Sequence, residues 1–153
     1  MENRSPNSDA PIELRLQRRF DAPVERVWRA WTDPQALMRW FGPAGTRRVL
    51  LAETDVRAGG AYHVGFATED GQEHYASGHY QEVEPSRRLV FTWAWRETPE
   101  ETSLITLEFT AAGTATEFAF LQTPFVDQAT RDSHENGWSG AMDRLADHLA
   151  GLA

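Results

Sequence analysis

Phe20-Asp21-Ala22-Pro23-Val24-Glu25-Arg26-Val27-Trp28-Arg29-Ala30-Trp31-Thr32-Asp33-Pro34, closed a few residues later by Trp40-Phe41-Gly42-Pro43, decides how the rest of the chain is read. Two short helices fit here. Val24, Val27, Trp28 and Trp31 recur at helical spacing, so that face reads as buried. Asp21 is placed to cap the first helix, and Pro23 suits its first turn, since its ring presets φ and its missing N–H would have had no helical partner. Asp33-Pro34 repeats the punctuation and opens a second, shorter helix carrying Leu37, Trp40 and Phe41 until Gly42-Pro43 stops it. Beside that break Trp40 and Phe41 read as half exposed. They suit the rim of an enclosed site or, alternatively, an apolar patch for dimerisation.

Working outward, Ile12, Leu14, Leu16 and Phe20 share one parity with Glu13, Arg15, Gln17 and Arg19 opposite, the alternation of a strand with one buried face. On the other side, residues 48–53, 61–67, 74–83, 88–96, 103–110 and 116–122 read as six further strands. Asp70-Gly71 and Ala112-Gly113 fall where hairpins need positive φ, and Glu84-Pro85-Ser86 is a turn, so neighbouring strands are antiparallel. Residues 127–149 form the one helix long enough to cross a sheet, with His134, Trp138, Ala141 or Met142, Leu145 and Leu149 on one stripe. Gly137 and Gly140 inside it each cost about 1 kcal/mol against alanine, which points to close approach of another backbone or of a ligand. No βαβ alternation or fixed-period repeat occurs, so the class is α+β.

Composition narrows the function classes. The 153 residues suit one domain, and 41% hydrophobic with 11% aromatic residues is ample for a core. Fifteen basic against twenty-three acidic residues give a net charge of −8, which disfavours a nucleic-acid partner, because neutralising phosphates needs clustered cations. With no cysteine, disulfides, thiol catalysis and cysteine-ligated metal are excluded. The first nine residues lack the apolar run of a signal peptide, and no stretch approaches the roughly 20 apolar residues of a membrane span, so a cytoplasmic protein without membrane partners is expected.

Several features in one order carry a family likeness: the segment from Ala22-Pro23 to Pro43, Gly59-Gly60 ahead of a strand, Asp70-Gly71, Gly78, Pro85 with Arg88-Leu89-Val90-Phe91-Thr92-Trp93, Gly113-Thr114, and Gly137-Trp138 in the last helix. On these the chain resembles the activator of heat-shock-protein-90 ATPase homologue-like family, of the START/Bet v 1-like (SRPBCC) superfamily, over residues 12 to 150. The resemblance implies a helix-grip fold, in which a seven-stranded curved antiparallel sheet folds around a long C-terminal helix with two short helices after the first strand, often around a pocket for an apolar ligand. It does not imply one activity, because sites vary freely on a shared scaffold. Residues 1–11 are expected to be a disordered tail and 12–153 a single domain.

Strand parity nominates the residues facing such a pocket. Tyr62, Val64 and Phe66 share a face, as do Leu89, Phe91, Trp93 and Trp95, then Ile105, Leu107 and Phe109, then Thr116, Phe118, Phe120 and Gln122. In residues 74–83 the parity is open: Tyr75, Ser77 and His79 stand against Ala76, Gly78 and Tyr80, and a bulge could switch them. Gly65, Gly78 and Gly140 could leave room inside. The candidate ligand-binding set is therefore Trp40, Phe41, Tyr62, Val64, Phe66, Tyr75, Phe91, Trp93, Trp95, Phe118, Phe120, Gln122, His134, Trp138 and Met142, with Gln122, His134, Tyr62 and Tyr75 as the polar groups able to orient a guest. His134 could act as acid, base or anchor. The plainer reading, a histidine hydrogen-bonded at the rim, is preferred, because no carboxylate is placed to orient its ring. His63, His74, His79 and His148 show no metal-ligand spacing, and nucleophile and phosphate-loop motifs are missing, so no catalytic residue, metal or cofactor is assigned.

The leading function is binding of a small hydrophobic or aromatic ligand between sheet and helix, by a monomer or homodimer. An enzyme of cyclase or hydrolase type using a pocket histidine is the alternative. Co-chaperone action on the heat-shock-protein-90 ATPase ranks last, since such activators carry an additional N-terminal domain not seen in this sequence.

Overall fold

The first strand pairs with the last, and that ladder turns a simple meander into a sheet curled around a helix. The computed structural model describes residues 10–151, so the expected tail lies, but for residues 10 and 11, outside the described residues. Strand β1 (Ile12–Phe20) leads into α1 (Val24–Thr32) and α2 (Pro34–Trp40). Then follow β2 (Thr46–Thr54), β3 (Ala61–Thr68), β4 (Glu73–Glu84), β5 (Arg88–Trp95), β6 (Ser103–Ala112) and β7 (Ala115–Phe125), and the chain closes with α3 (Gln128–Ala150). The seven strands order as β1-β7-β6-β5-β4-β3-β2, antiparallel throughout, with Leu16 opposite Phe120 where the ends of the chain meet. This is the helix-grip architecture that the resemblance implies.

Curvature comes from bulges. Register shifts put an extra residue on β7 where Ile12 to Leu14 faces Phe125 to Gln122, on β2 between Val49 and Leu51, and on β4 between Tyr80 and Glu82, and each extra residue bends its strand. The β4 bulge resolves the open parity: Ala76 and Tyr80 point into the core before it, and Val83 packs against the core after it. Gly71 (φ 86°) and Gly113 (φ 66°) take the left-handed turn positions expected of them. The inward rows of β3, β5, β6 and β7 are buried as the alternation requires, apart from the half-buried Trp95, and they meet Trp138, Ala141, Met142, Leu145 and Leu149 of α3 in one continuous core.

Two expectations about the short helices are corrected. Asp21 does not cap α1: the N-cap is Pro23, with no side-chain cap bond, and the preceding chain is held instead by Thr116, whose hydroxyl donates to the Ala22 carbonyl at 2.8 Å. Asp33 does cap α2, accepting from the Gln35 N–H at 3.0 Å ahead of Pro34. Trp28 is only partly buried, edge-on to Phe109, while Ala30 joins Val27 and Trp31 on the buried face.

Trp40 and Phe41 are not half exposed either, at 0% and 4%. The Trp40 indole donates to the Ala30 carbonyl at 2.9 Å, and Arg144 of α3 donates from Nε to the Trp40 carbonyl at 2.9 Å, satisfying a backbone group at the end of α2. That ring is therefore a strut between the two short helices, and no exposed patch forms there.

Nor do the three glycines leave room. A Cβ on Gly65 would sit 2.3 Å from the Tyr75 ring, one on Gly78 would fall 1.9 Å from the Thr92 carbonyl oxygen, and one on Gly140 would be 2.6 Å from the Ala44 backbone nitrogen. Each marks close packing. Gly78 lets β4 and β5 approach, and the Tyr62 hydroxyl, from β3, donates to the Thr92 carbonyl at 2.5 Å. Gly140 seats α3 against the turn that follows α2.

Candidate functional site

Sheet and α3 part company around the first half of the helix, leaving a cavity of about 450 Å3. Its sheet wall is Phe66 of β3, His74 of β4, and Trp93 and Trp95 of β5; its helix wall is His134, Gly137, Trp138 and Ala141. Phe41, Gly42 and Pro43 roof it, and Thr68, Glu97, Thr98 and Ser133 complete the lining. Glu97 and Ser133 are exposed, so the cavity reaches the surface between the β5–β6 loop and α3.

The rings lie at steep angles to one another. Trp93 and Trp95 are 5.2 Å apart at 79°, Phe66 meets Trp95 at 6.1 Å and 68°, and Phe41 meets Trp138 at 6.0 Å and 79°. His74 stacks on Phe66 at 5.1 Å and 30°. Such edge-to-face contacts place the positive rim of one ring on the negative face of the next, and they keep the walls rigid without filling the centre.

His134 crosses the gap. Its Nδ1 lies 2.9 Å from the Thr130 carbonyl, which can only accept, so that nitrogen carries the proton. The other nitrogen, Nε2, then accepts from the Trp95 indole at 3.0 Å. Burial pushes the imidazole below its usual value of 6.5, outweighing the Thr130 bond and the Glu101 charge, which pull it up. The histidine is a neutral crossbar between β5 and α3. Beyond it lies a second pocket of about 220 Å3, which shares Trp93, Trp95 and His134 with the first and adds Glu100, Glu101, Ser103, Gln122 and Phe125 among its lining.

Gln122, fully buried, accepts from the Trp138 indole at 2.9 Å and donates to the Ser103 hydroxyl at 2.8 Å, so it fixes the tryptophan that divides cavity from core. Two other buried indoles, Trp31 and Trp93, have an N–H without a partner in the protein. An unmet donor of this kind costs about 1–3 kcal/mol.

Of the residues nominated from sequence, the structure brings Phe41, Phe66, Trp93, Trp95, His134 and Trp138 together around the main cavity. Tyr62, Val64 and Phe91 border instead a void of about 20 Å3 deeper in the core, and Gln122 faces the second pocket. Phe118, Phe120 and Met142 are packing residues at 2%, 2% and 0% exposure, and they, like Trp40, line none of these three pockets. Tyr75 is a correction: it projects from the outer face of β4, where Arg96 lies over its ring at 4.2 Å and its hydroxyl donates to Glu73 at 3.0 Å.

Sequence reasoning missed His74, Thr68, Gly42, Pro43, Glu97, Thr98, Ser133 and Ala141 as lining residues, and it read Gly137 as a site of close approach of another backbone or of a ligand. The register of the β3–β4 hairpin holds the signal for His74, because it sits opposite Phe66 and so shares its face. Among the described residues no group of three or more histidine, aspartate and glutamate side chains is arranged to hold a metal ion, and no helix is long and apolar enough to cross a membrane.

Comparison with known proteins places this geometry. The family described as "Activator of Hsp90 ATPase homolog 1-like protein" matches residues 21–150. Among solved structures, the AHSA1 protein from Silicibacter pomeroyi aligns with a TM-score of 0.81 at 25% identity, covering 92% of this chain and 99% of that one. A protein from Chromobacterium violaceum gives 0.77 at 26% identity over 90% and 96% of the two chains, and one from Nitrosomonas europaea 0.78 at 24% over 94% and 97%. No curated protein matches.

Proposed function

The chain belongs to the Activator of Hsp90 ATPase homolog 1-like family, and on that premise we propose that it binds a small hydrophobic or aromatic molecule in the cavity between β3–β5 and the first half of α3. The fold supports ligand binding in a hydrophobic cavity at a general level. The observation that carries the finer reading is a hollow of about 450 Å3 walled by Phe41, Phe66, His74, Trp93, Trp95 and Trp138. That volume falls within the roughly 300–1,000 Å3 of small-molecule sites, and the mixture of many apolar rings with a few polar groups is the composition such sites have. A guest hiding about 250 Å2 of apolar surface at about 25 cal/mol per Å2 gains about 6 kcal/mol before association costs, which sets a micromolar ceiling unless polar contacts add to it.

At His134 the acid–base alternative finds no footing. Both nitrogens of His134 are engaged, and neither partner, an indole and a backbone carbonyl, is titratable. A proton-moving role would require breaking the crossbar first. Cytoplasmic placement and a monomeric or dimeric state belong to the same proposal and rest on the sequence alone.

The experiment is a screen of apolar and aromatic compounds, neutral and charged, followed by tryptophan emission. Trp93, Trp95 and Trp138 line the cavity, so a bound guest changes their emission saturably. No response from any compound in such a library contradicts the proposal.

A further inference from the structure

We infer that the guest is an organic cation, its positive nitrogen held against ring faces near an acidic mouth, an inference that rests on the ligand-binding reading above. The first observation is the wall. Trp93, Trp95 and Trp138 stand at 59° to 79° to one another along the chain of contacts from Trp95 through Trp93 to Trp138, so they do not all present edges to the same volume. A ring face carries the negative part of the aromatic quadrupole, and tryptophan is the strongest of the neutral side chains at holding a cation there.

The second observation is the charge around that wall. Glu97 lines the main cavity and Glu100 and Glu101 line its neighbour, whereas no arginine lines either, and His134 is neutral while both its nitrogens are bonded. All fifteen basic residues of the chain are arginines, so no lysine is available from elsewhere in the sequence. Arg96 sits between Trp95 and Glu97 in sequence, yet its guanidinium is turned to the outer face over Tyr75. Its Nε stands 3.8 Å from a Glu97 oxygen, but both side chains are 64% exposed, and an exposed pair of that length does little to cancel the carboxylate. Glu100 and Glu101 make no ion pair among the described residues.

The positive end of the α3 dipole could in principle favour an anion here. It is already answered by Asp127, whose carboxylate accepts from the Thr130 N–H at 2.8 Å. An anionic guest would therefore meet the Glu97 carboxylate, with Glu100 and Glu101 in the neighbouring pocket and no arginine among the described residues lining either, while a cation gains from ring faces, carboxylates and the net charge of −8 together.

The test uses three matched probes: benzyltrimethylammonium, its neutral isostere neopentylbenzene, and phenylacetate, titrated calorimetrically into the full-length protein at low ionic strength. The cation should bind about tenfold tighter than the neutral isostere, with the anion weakest. In the triple variant Glu97→Gln, Glu100→Gln, Glu101→Gln, which changes only exposed loop side chains, the gap should narrow, and added salt should narrow it in the wild type. A neutral isostere that binds as tightly as the cation, or an anion that binds tightest, overturns the charge inference and leaves the ligand-binding reading standing. Failure of all three probes, together with silence in the tryptophan screen, overturns both.

Discussion

The two halves of α3 face the same curved sheet and end in opposite states. From Trp138 onward the helix sends Trp138, Met142, Leu145 and Leu149 inward, and these close on Phe118, Phe120 and the rows beside them in a core where the void bordered by Trp31, Phe91 and Trp138 is only about 20 Å3. Before Trp138 the inward positions are His134 and Gly137, one polar and one bare, with Ala141 a turn later adding only a methyl, and there the cavity of about 450 Å3 opens. The sheet does not differ in kind between the two ends, since both present aromatic rows. With α3 seated there, the volume of its side chains decides whether those rows fill a core or line a hollow.

This contrast can be broken at the packed end first. Leu145 is fully buried, so Leu145→Ala should destabilise the fold by about 2–5 kcal/mol in urea unfolding while leaving ligand affinity within a factor of a few. A loss under 1 kcal/mol would show that the packed end is looser than described. The two helix glycines sharpen the comparison within one turn. Gly140→Ala forces a methyl to within 2.6 Å of the Ala44 backbone nitrogen and should cost about 1–3 kcal/mol. Gly137→Ala meets nothing closer than 3.9 Å and should stabilise by about 0.5–1 kcal/mol through helix propensity. Equal effects of the same sign at the two positions would contradict the assignment of one glycine to packing and the other to the cavity.

A smaller effect concerns the crossbar and pH. Burial holds the folded-state value of His134 below the usual 6.5, so the unfolded chain takes up the proton first on acidification. Its contribution to stability is therefore complete above about pH 6.5 and fades as pH falls through the lowered folded value, where a proton on Nε2 would face the Trp95 N–H. Relative to His134→Gln, the wild type should lose urea stability below pH 6.5. Parallel curves for the two proteins would remove the crossbar from the account. Trp93→Phe deletes an indole N–H that has no partner, so its loss of packing should be partly offset and the net change should stay within about 1–2 kcal/mol, well short of the cost of truncating a tryptophan in a satisfied core.

Much of the fold was legible because its signals are local. Strict alternation in β3, β5, β6 and β7 named the inward rows, Asp33-Pro34 opened α2, and Gly71 and Gly113 sat at their turns. What failed depends on contacts made between distant segments. Asp21 looked like a cap, but Thr116, far along the chain, fixes the backbone before α1. Trp40 beside Gly42-Pro43 looked like a rim residue, and only the Ala30 carbonyl and Arg144 of α3 show why it is interior.

The site was legible in part for the same reason. Phe66, Trp93, Trp95, His134 and Trp138 follow from parity and helical stripe, whereas Tyr75 and His74 exchanged roles because β4 parity depends on hairpin register and on a bulge after Tyr80. Which aromatic residues line and which fill depends on where α3 sits along the sheet. The Gly140–Ala44 contact sets that seating, and no pattern within a single element reports it.

The claim at the centre is that space beside Gly137 admits a guest. N-phenyl-1-naphthylamine, a neutral dye that brightens on leaving water, tests it most directly when titrated into the wild type and into Gly137→Leu side by side, with unfolding midpoints measured on both. The account predicts saturable one-to-one brightening with the wild type, and its loss in a variant at least as stable, because the new side chain occupies the hollow. Undiminished dye binding by a stably folded Gly137→Leu protein would contradict it.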